Sequence, residues 1–467
     1  MRDLTTGHIG GQILKFAAPL MMGNLLQQTY YFIDSIIVGQ LLGKEALAAV
    51  SASFSVIFVL VSLVIGISAG GTIIISQYFG AGDKTNVRRT IDTLYIFVFF
   101  ASIIITTLGI SISRPVFQLT RLPDDVLPQA VVYLNTILLG TIMVFGFNGT
   151  SAILRGLGDP VTPLVFLVLS SVTNILLDLL LIRYFSMGIA GAAWATVISQ
   201  GLAFFLAVFY LNKNHKIVQL RLKELIFDRK IFRQSIRIGL PTGLQQTFVS
   251  LGMLALFRIV DGFGTNVIAA YAAAGRIDNL AMLPSMNFGQ ALSSFVGQNI
   301  GAKKETRVRK GLLSTLGMSS VVSIVITLLV IMFRRRLIGL FTSDPEVIHI
   351  GGYYLMVVGS CYVIFSVMFS MTSMLRGAGA TLMPMFITLL SLWFIRIPCA
   401  AIFSGTVHPD LHIWGNFPLF HKILSGNLKE TGIWIAVPLG WFSGAIFSYI
   451  YYLSGKWRYK GIVSFAS

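Results

Sequence analysis

The chain has 467 residues, 55% of them apolar and only 11% charged, with a mean hydropathy of +0.80. Ordinary soluble domains carry about 25% charged residues, so a water-facing surface, and with it a soluble enzyme, is excluded. Lys and Arg number 35 against 18 Asp and Glu, a formal charge of +17. Their clustering in loops marks membrane topology rather than a nucleic-acid partner.

Apolar runs long enough to cross a hydrocarbon core of about 30 Å recur along the chain. About twelve are read, centred near residues 25, 62, 100, 140, 172, 201, 247, 282, 322, 362, 391 and 443. Each is expected to be a helix, because lipid offers no partner to an unpaired backbone group. The first run continues past Pro19, through Gln27 and Gln28 to Val38, without a small-residue cleavage site, so it reads as a span and not a removable signal. Lys and Arg concentrate after even-numbered spans, most densely between Lys213 and Arg237, which places both termini in the cytoplasm. Cys361 and Cys399 lie in apolar runs and read as buried thiols, with no disulfide or metal framework.

Two blocks recur at one offset. QYFGAGDKTNVRR (77–89) and QNIGAKKETRVRK (298–310) share six of thirteen residues, and LRGLGDPVTP (154–163) and LRGAGATLMP (375–384) share five of ten, both 221 positions apart. Tyr133 and Tyr354 keep that offset, whereas GIAGAA (188–193) and GIWIAV (432–437) are 244 apart, which places an insertion at 406–428. The chain therefore divides into two six-span lobes, 1–216 and 217–467. An even number of spans returns each half to its starting side, so the halves are parallel repeats, as a carrier with one alternately exposed site requires. A channel would instead show a filter segment repeated per subunit, and none is visible.

Acids at membrane depth are functional candidates by default. Asp34 lies near the outer end of span one and Asp178 at the same depth in span five, with Asn174 one helical turn deeper on the same face and Thr196 eight residues into span six. Such an oxygen cluster suits a proton, or a hard cation such as Na⁺. Under the repeat offsets Asn174 maps to Ile395, Asp178 to Cys399, Asp34 to about Ala255 and Thr196 to Gly440, so the second half builds the same fold without this cluster. Gln245, Gln246, Arg276, Asp278, Asn287 and Gln290 are candidate linings of a central cavity, with interhelical pairing as the alternative. Arg276 and Asp278, two apart, sit on different helix faces and need separate partners. Arg155 and Arg376, each in LRGxG, read as gate or interface anchors. A GxSxG match at 66–70, a sequon at Asn148 and the pair His408 and His412 carry no chemistry in their settings, and there is no P-loop to drive transport by ATP hydrolysis.

These segments, together with PLMMGNLLQQTYYFIDSIIVGQLLG (19–43), LTRLPDDVLPQA (119–130) and LFTSDPEVI (340–348), resemble the MATE family of multidrug and toxic compound extrusion transporters over nearly the whole chain. The resemblance implies two six-helix lobes arranged in a V, extruding cationic, amphipathic or bulky organic compounds in exchange for H⁺ or Na⁺. Within the family the sequence is similar to the prokaryotic branch with its cation site in the N-terminal lobe. Asp34, Asn174, Asp178 and Thr196 match that site, and Pro19 matches the proline at which the first helix is proposed to bend on protonation. Another branch carries acids in spans seven and ten; here Gln245 and Gln246 stand near the first position, and no acid occurs from Gly351 to Leu375.

The expectation is thus an all-α integral membrane protein of a prokaryotic plasma membrane, a monomer with no enzymatic activity and no cofactor beyond its coupling ion. It would export small organic molecules by alternating access, using Asp34, Asn174, Asp178 and Thr196 as the coupling site. H⁺ is favoured over Na⁺, since losing a proton demands no cage geometry. The alternative reading is a flippase for a lipid-linked precursor, which would need a more basic cavity than Arg276 and Arg396 provide; a non-transporting scaffold or receptor would leave the paired acids without a task.

Overall fold

A computed structural model describes residues 2–120, 122–214, 219–220, 222–406 and 428–463, apart from the side chains of Leu63 and Leu222. The first half comprises α1 (Ile9–Leu42), α2 (Lys44–Gly80), α3 (Lys84–Leu119), α4 (Leu127–Leu139), α5 (Thr141–Gly156), α6 (Val161–Asp178), which runs on as a π-helical stretch Leu179–Tyr184, and α7 (Gly188–Asn214). The second comprises α8 (Arg229–Asp261), α9 (Thr265–Gly301), α10 (Glu305–Gly339), α11 (Pro345–Gly359), α12 (Tyr362–Gly377), α13 (Leu382–Leu389), a π-helical stretch Leu390–Arg396, α14 (Ile397–Phe403) and α15 (Glu430–Leu453). No strand occurs among the described residues.

Eight helical segments are long and apolar enough to span a membrane, and two bent pairs bring the number to ten. Helices α1 and α9, of 34 and 37 residues, have the length to span as well but carry more polar groups. Large apolar side chains such as Phe32, Leu176, Phe205 and Met332 are exposed on the helices, as expected of a chain whose solvent is largely lipid.

The fourth and tenth spans depart from the expected unbroken helices. They bend by 54° between α4 and α5 and by 48° between α11 and α12, so the sequence-based centres at 140 and 362 fall on the elbows. At the first elbow a Cβ on Gly140 would lie 2.2 Å from Val197 Cγ2; the missing side chain lets the bend seat on α7. The repeat offset carries Gly140 onto Cys361, at the second elbow. The duplication therefore extends to helix breaks that hydropathy does not register.

Each lobe closes its own core. In the first, Val38, Phe117, Tyr133, Leu134, Leu138 and Ile189 pack together; in the second, Leu256, Tyr354, Tyr362, Trp434 and Trp441 do. The lobes meet along α1 and α2 on one side and α8 and α9 on the other. Gly66 and Gly70 lie against the backbone of Gly239 and Gly243, where a Cβ on Gly70 would come within 2.7 Å of the Gly239 nitrogen. Pro19 sits inside α1 without ending it. The 406–428 insertion is anchored where Leu428 N–H donates to the Phe403 carbonyl at 3.2 Å. Residues 407–427, with His408 and His412, and the lobe boundary at 216–217 lie outside the described residues.

Candidate cation site

Helix α1 brings Asp34 to the half of the bundle away from the termini, and α6 brings Asn174 and Asp178 to the same level. Asp34 is 7% exposed, while Asn174 and Asp178 are fully buried. The two carboxyl groups lie within hydrogen-bonding range of one another, and the Oδ1 atom of each is buried with no hydrogen-bond partner. Asn174, with its amide oriented to satisfy both ends, donates to Asp178 Oδ2 at 2.8 Å and accepts from the Thr196 backbone N–H at 3.1 Å. Half-buried Thr196 also faces Tyr30, with 3.4 Å between the two hydroxyl oxygens. Asp178 ends the α-helical part of its span, where the ladder widens into the π-helical stretch; such local changes of helix register are frequent at functional sites.

The structure thus brings together the four residues the sequence singles out. It adds Tyr30, Tyr31 and Tyr133, whose rings approach the acids closely enough to feel their charge. Tyr133 is buried on α4 and electrostatically close to both carboxyls. Its repeat mate Tyr354 was the available signal in the sequence. Two carboxylates with unmatched oxygens are a fit for a proton. Asn174 turns its N–H₂ to Asp178 and commits its oxygen to Thr196, so the unmatched acceptors of the cluster are the carboxyl oxygens. No group of three or more His, Cys, Asp or Glu side chains is placed to hold a metal among the described residues.

The other candidates scatter. Gln245 is tied within its own lobe, donating to Thr388 Oγ1 at 2.7 Å and to the Pro384 carbonyl at 3.3 Å. Gln246 and Gln290 are exposed. Asn287 is buried and accepts from Asn24 Nδ2 at 2.7 Å, a contact from α1 across the lobe interface to α9. Arg276 is exposed, its guanidinium 5.8 Å from the centre of the Phe341 ring. Arg376 donates to Ser373 Oγ at 3.0 Å and stacks on Phe369.

Asp278 takes part in a second buried polar centre, which sequence reasoning missed. It accepts from Tyr354 Oη at 2.6 Å on Oδ2 and from Tyr362 Oη on Oδ1. Arg396, 8% exposed at the end of the second π-helical stretch, lies within electrostatic reach of Asp278, Tyr354 and Tyr271, and its Nε has no partner. Its stem rests on α15 at Gly440, where a Cβ would come within 2.9 Å of Arg396 Cβ.

Comparison with known proteins agrees with this architecture. The MatE family model matches residues 19–180 and 241–402, one block in each lobe. The probable multidrug resistance protein YpnP of Bacillus subtilis (strain 168) is 32% identical over 459 residues, covering 98% of this chain and 97% of that protein. The probable multidrug resistance protein NorM of Thermotoga maritima is 26% identical over 458 residues, covering 97% and 94%. A solved MOP superfamily transporter from Pyrococcus furiosus has the same fold, with a TM-score of 0.86 at 22% identity over 97% of both chains. With two repeats matched by one family and near-complete alignment to bacterial relatives, this chain belongs to the MATE family, and is a multi-pass transporter of the plasma membrane and not an enzyme.

Proposed function

We propose that the protein is a proton-coupled exporter of cationic or amphipathic organic compounds, working as a monomer by alternating access with both termini in the cytoplasm. The observation that carries this reading is the meeting of Asp34 and Asp178, from different helices, with buried Oδ1 atoms that no donor reaches. Two ionised carboxylates at ~4 Å repel by about 4 kcal/mol at an effective dielectric of 20, so the pair is most stable with a proton shared between them. The proton enters from the far side and leaves toward the termini side, and coupling requires that the two conformations hold it with different affinity. The membrane potential adds about 2.3 kcal/mol per charge per 100 mV. Asn174, engaged through its N–H₂, supports H⁺ over Na⁺.

The test is transport in proteoliposomes under an imposed pH gradient in Na⁺-free buffer, then under a Na⁺ gradient at equal pH. Dye movement in the first condition, abolished by Asp34→Asn and by Asp178→Asn, is the expected result. Movement only in the second would overturn the proton assignment, and full activity of both variants in both conditions would overturn the site.

A further inference from the structure

At the end of the bundle that holds both termini, the lobes are joined by two glutamines related by the repeat. Gln298 on α9 donates to the Gly156 carbonyl at the end of α5 at 3.4 Å and accepts from the Leu4 backbone N–H at 2.9 Å. Gln77 on α2 donates to the Gly377 carbonyl at the end of α12 at 3.1 Å and accepts from the Ile462 backbone N–H at 2.7 Å. Both glutamines are fully buried. The offset of 221 relates the two glutamines and also Gly156 to Gly377. Each side chain therefore reaches from its own lobe to a helix end and a terminal segment of the other.

The terminal segments cross over as well. Leu4, 1% exposed, packs in the second lobe's core with Phe295, Val296 and Trp457. Ile462 and Val463 pack against the first lobe's core of Ile74, Tyr78 and Leu154. Between the glutamines, α2 and α9 touch backbone to backbone: a Cβ on Gly80 would fall 1.9 Å from the Gln298 carbonyl oxygen, and one on Gly301 1.9 Å from that of Gln77. The N-terminal segment also reaches α1. Pro19 has no N–H to offer the Lys15 carbonyl four residues earlier, and Arg2 Nη1 lies 3.4 Å from that oxygen.

We propose that Gln77 and Gln298 are the paired gate residues of the transport cycle, and that residues 2–7 and 456–463 are crossed straps which hold the termini side of the cavity closed. This rests on the alternating-access reading above and specifies which contacts separate when that side opens. All four glutamine bonds cross the lobe interface, so opening the termini side breaks them together. The two halves of the lock contribute equally because the repeat makes them equivalent. Gln77 and Gln298 act through the lobes and not on substrate, so they are positioning residues.

The test uses the full chain with Cys361 and Cys399 replaced by Ser, and a reporter at Ser76→Cys, whose parent side chain is fully buried at the α2–α9 crossing beside Gly297. Ser366→Cys, at a fully buried position inside the second lobe, reports general loosening. Gln77→Ala and Gln298→Ala each remove two hydrogen bonds of about 1 kcal/mol, so each is expected to raise maleimide labelling at Ser76→Cys by about tenfold or more, to a similar extent, with labelling at Ser366→Cys unchanged. Ile462→Pro, which removes the strap's donor together with the Ile462 side chain that packs on the first lobe's core, is expected to raise labelling at Ser76→Cys as well. Unchanged labelling at Ser76→Cys in both glutamine variants overturns the gate, as does an equal rise at both reporters. Gradient-driven transport is measured alongside. A labelling rise in a protein that no ion gradient drives would sink the coupling reading and leave the gate standing; gradient-driven transport with no labelling rise would do the reverse.

Discussion

In the N-terminal lobe, Asp34 and Asp178 face each other across two helices with Oδ1 atoms that no donor reaches, while in the C-terminal lobe Asp278 has both oxygens held by Tyr354 and Tyr362 and a buried guanidinium, Arg396, near by. The two centres occupy related places. Tyr354 is the repeat mate of Tyr133, and Cys399, the mate of Asp178, follows Arg396 by three residues on the same span. A π-helical stretch borders the charge in both: it follows Asp178 and ends at Arg396. A carboxyl group that takes up and releases a proton in every cycle has to keep an oxygen free, whereas one whose bonds are all made is fixed in place. The duplicated fold thus separates a centre with unmatched carboxyl oxygens from one that carries its own countercharge.

The sharpest way to break this comparison is to neutralise one acid in each lobe. Asp34→Asn is expected to lower gradient-driven efflux by about 100-fold or more, because a carrier without differential proton affinity has nothing to couple. Binding of a labelled cationic dye to the purified variant should persist. Asp278→Asn is expected to leave transport driven by the gradient and to appear in stability, with a loss of about 1.5–3 kcal/mol from its charge-assisted bonds, read by unfolding in detergent. If Asp278→Asn uncoupled transport and Asp34→Asn did not, the assignment of roles to the lobes would be reversed.

Arg396→Gln sharpens the same point. Alone it leaves Asp278 without a countercharge and is expected to destabilise. Combined with Asp278→Asn, the loss should be smaller than the sum of the single losses by about 0.5–3 kcal/mol, as for residues that share one network. Strict additivity in the unfolding data would show that the two charges do not compensate each other.

The elbows make a third comparison. Gly140→Ala drives a Cβ into Val197 and is expected to cost about 1–3 kcal/mol, whereas Cys361→Ala at the related position, half-buried and already carrying a side chain, should stay within about 0.5 kcal/mol. The tyrosines make a last comparison, with the smallest effect expected at Tyr133. Tyr133→Phe removes a hydroxyl that makes no hydrogen bond among the described residues and should cost under about 0.5 kcal/mol. Tyr354→Phe breaks a 2.6 Å bond to Asp278 and falls in the range given for Asp278→Asn. Equal losses from the two tyrosine variants would remove the distinction between a free and a satisfied centre.

Hydropathy alone determined the membrane location, the all-helical class and the number of spans, because in lipid only closed backbone hydrogen bonding survives and the length of a crossing is set by the bilayer. Self-similarity at one offset determined the two-lobe plan, and a rare acid at matching depth in spans one and five marked the candidate cation site, since a costly residue needs a reason to be there. Tertiary structure decided the rest. The elbows at Gly140 and Cys361 depend on what packs against them, which an apolar string does not encode. Asp278 resembles a cavity lining until Tyr354 and Tyr362, 76 and 84 positions away, close over it. The crossed straps join residues 385 positions apart in the chain, as Ile462 does with Gln77; only the folded chain brings such donors and acceptors together, and their bonds leave no periodic trace in the sequence.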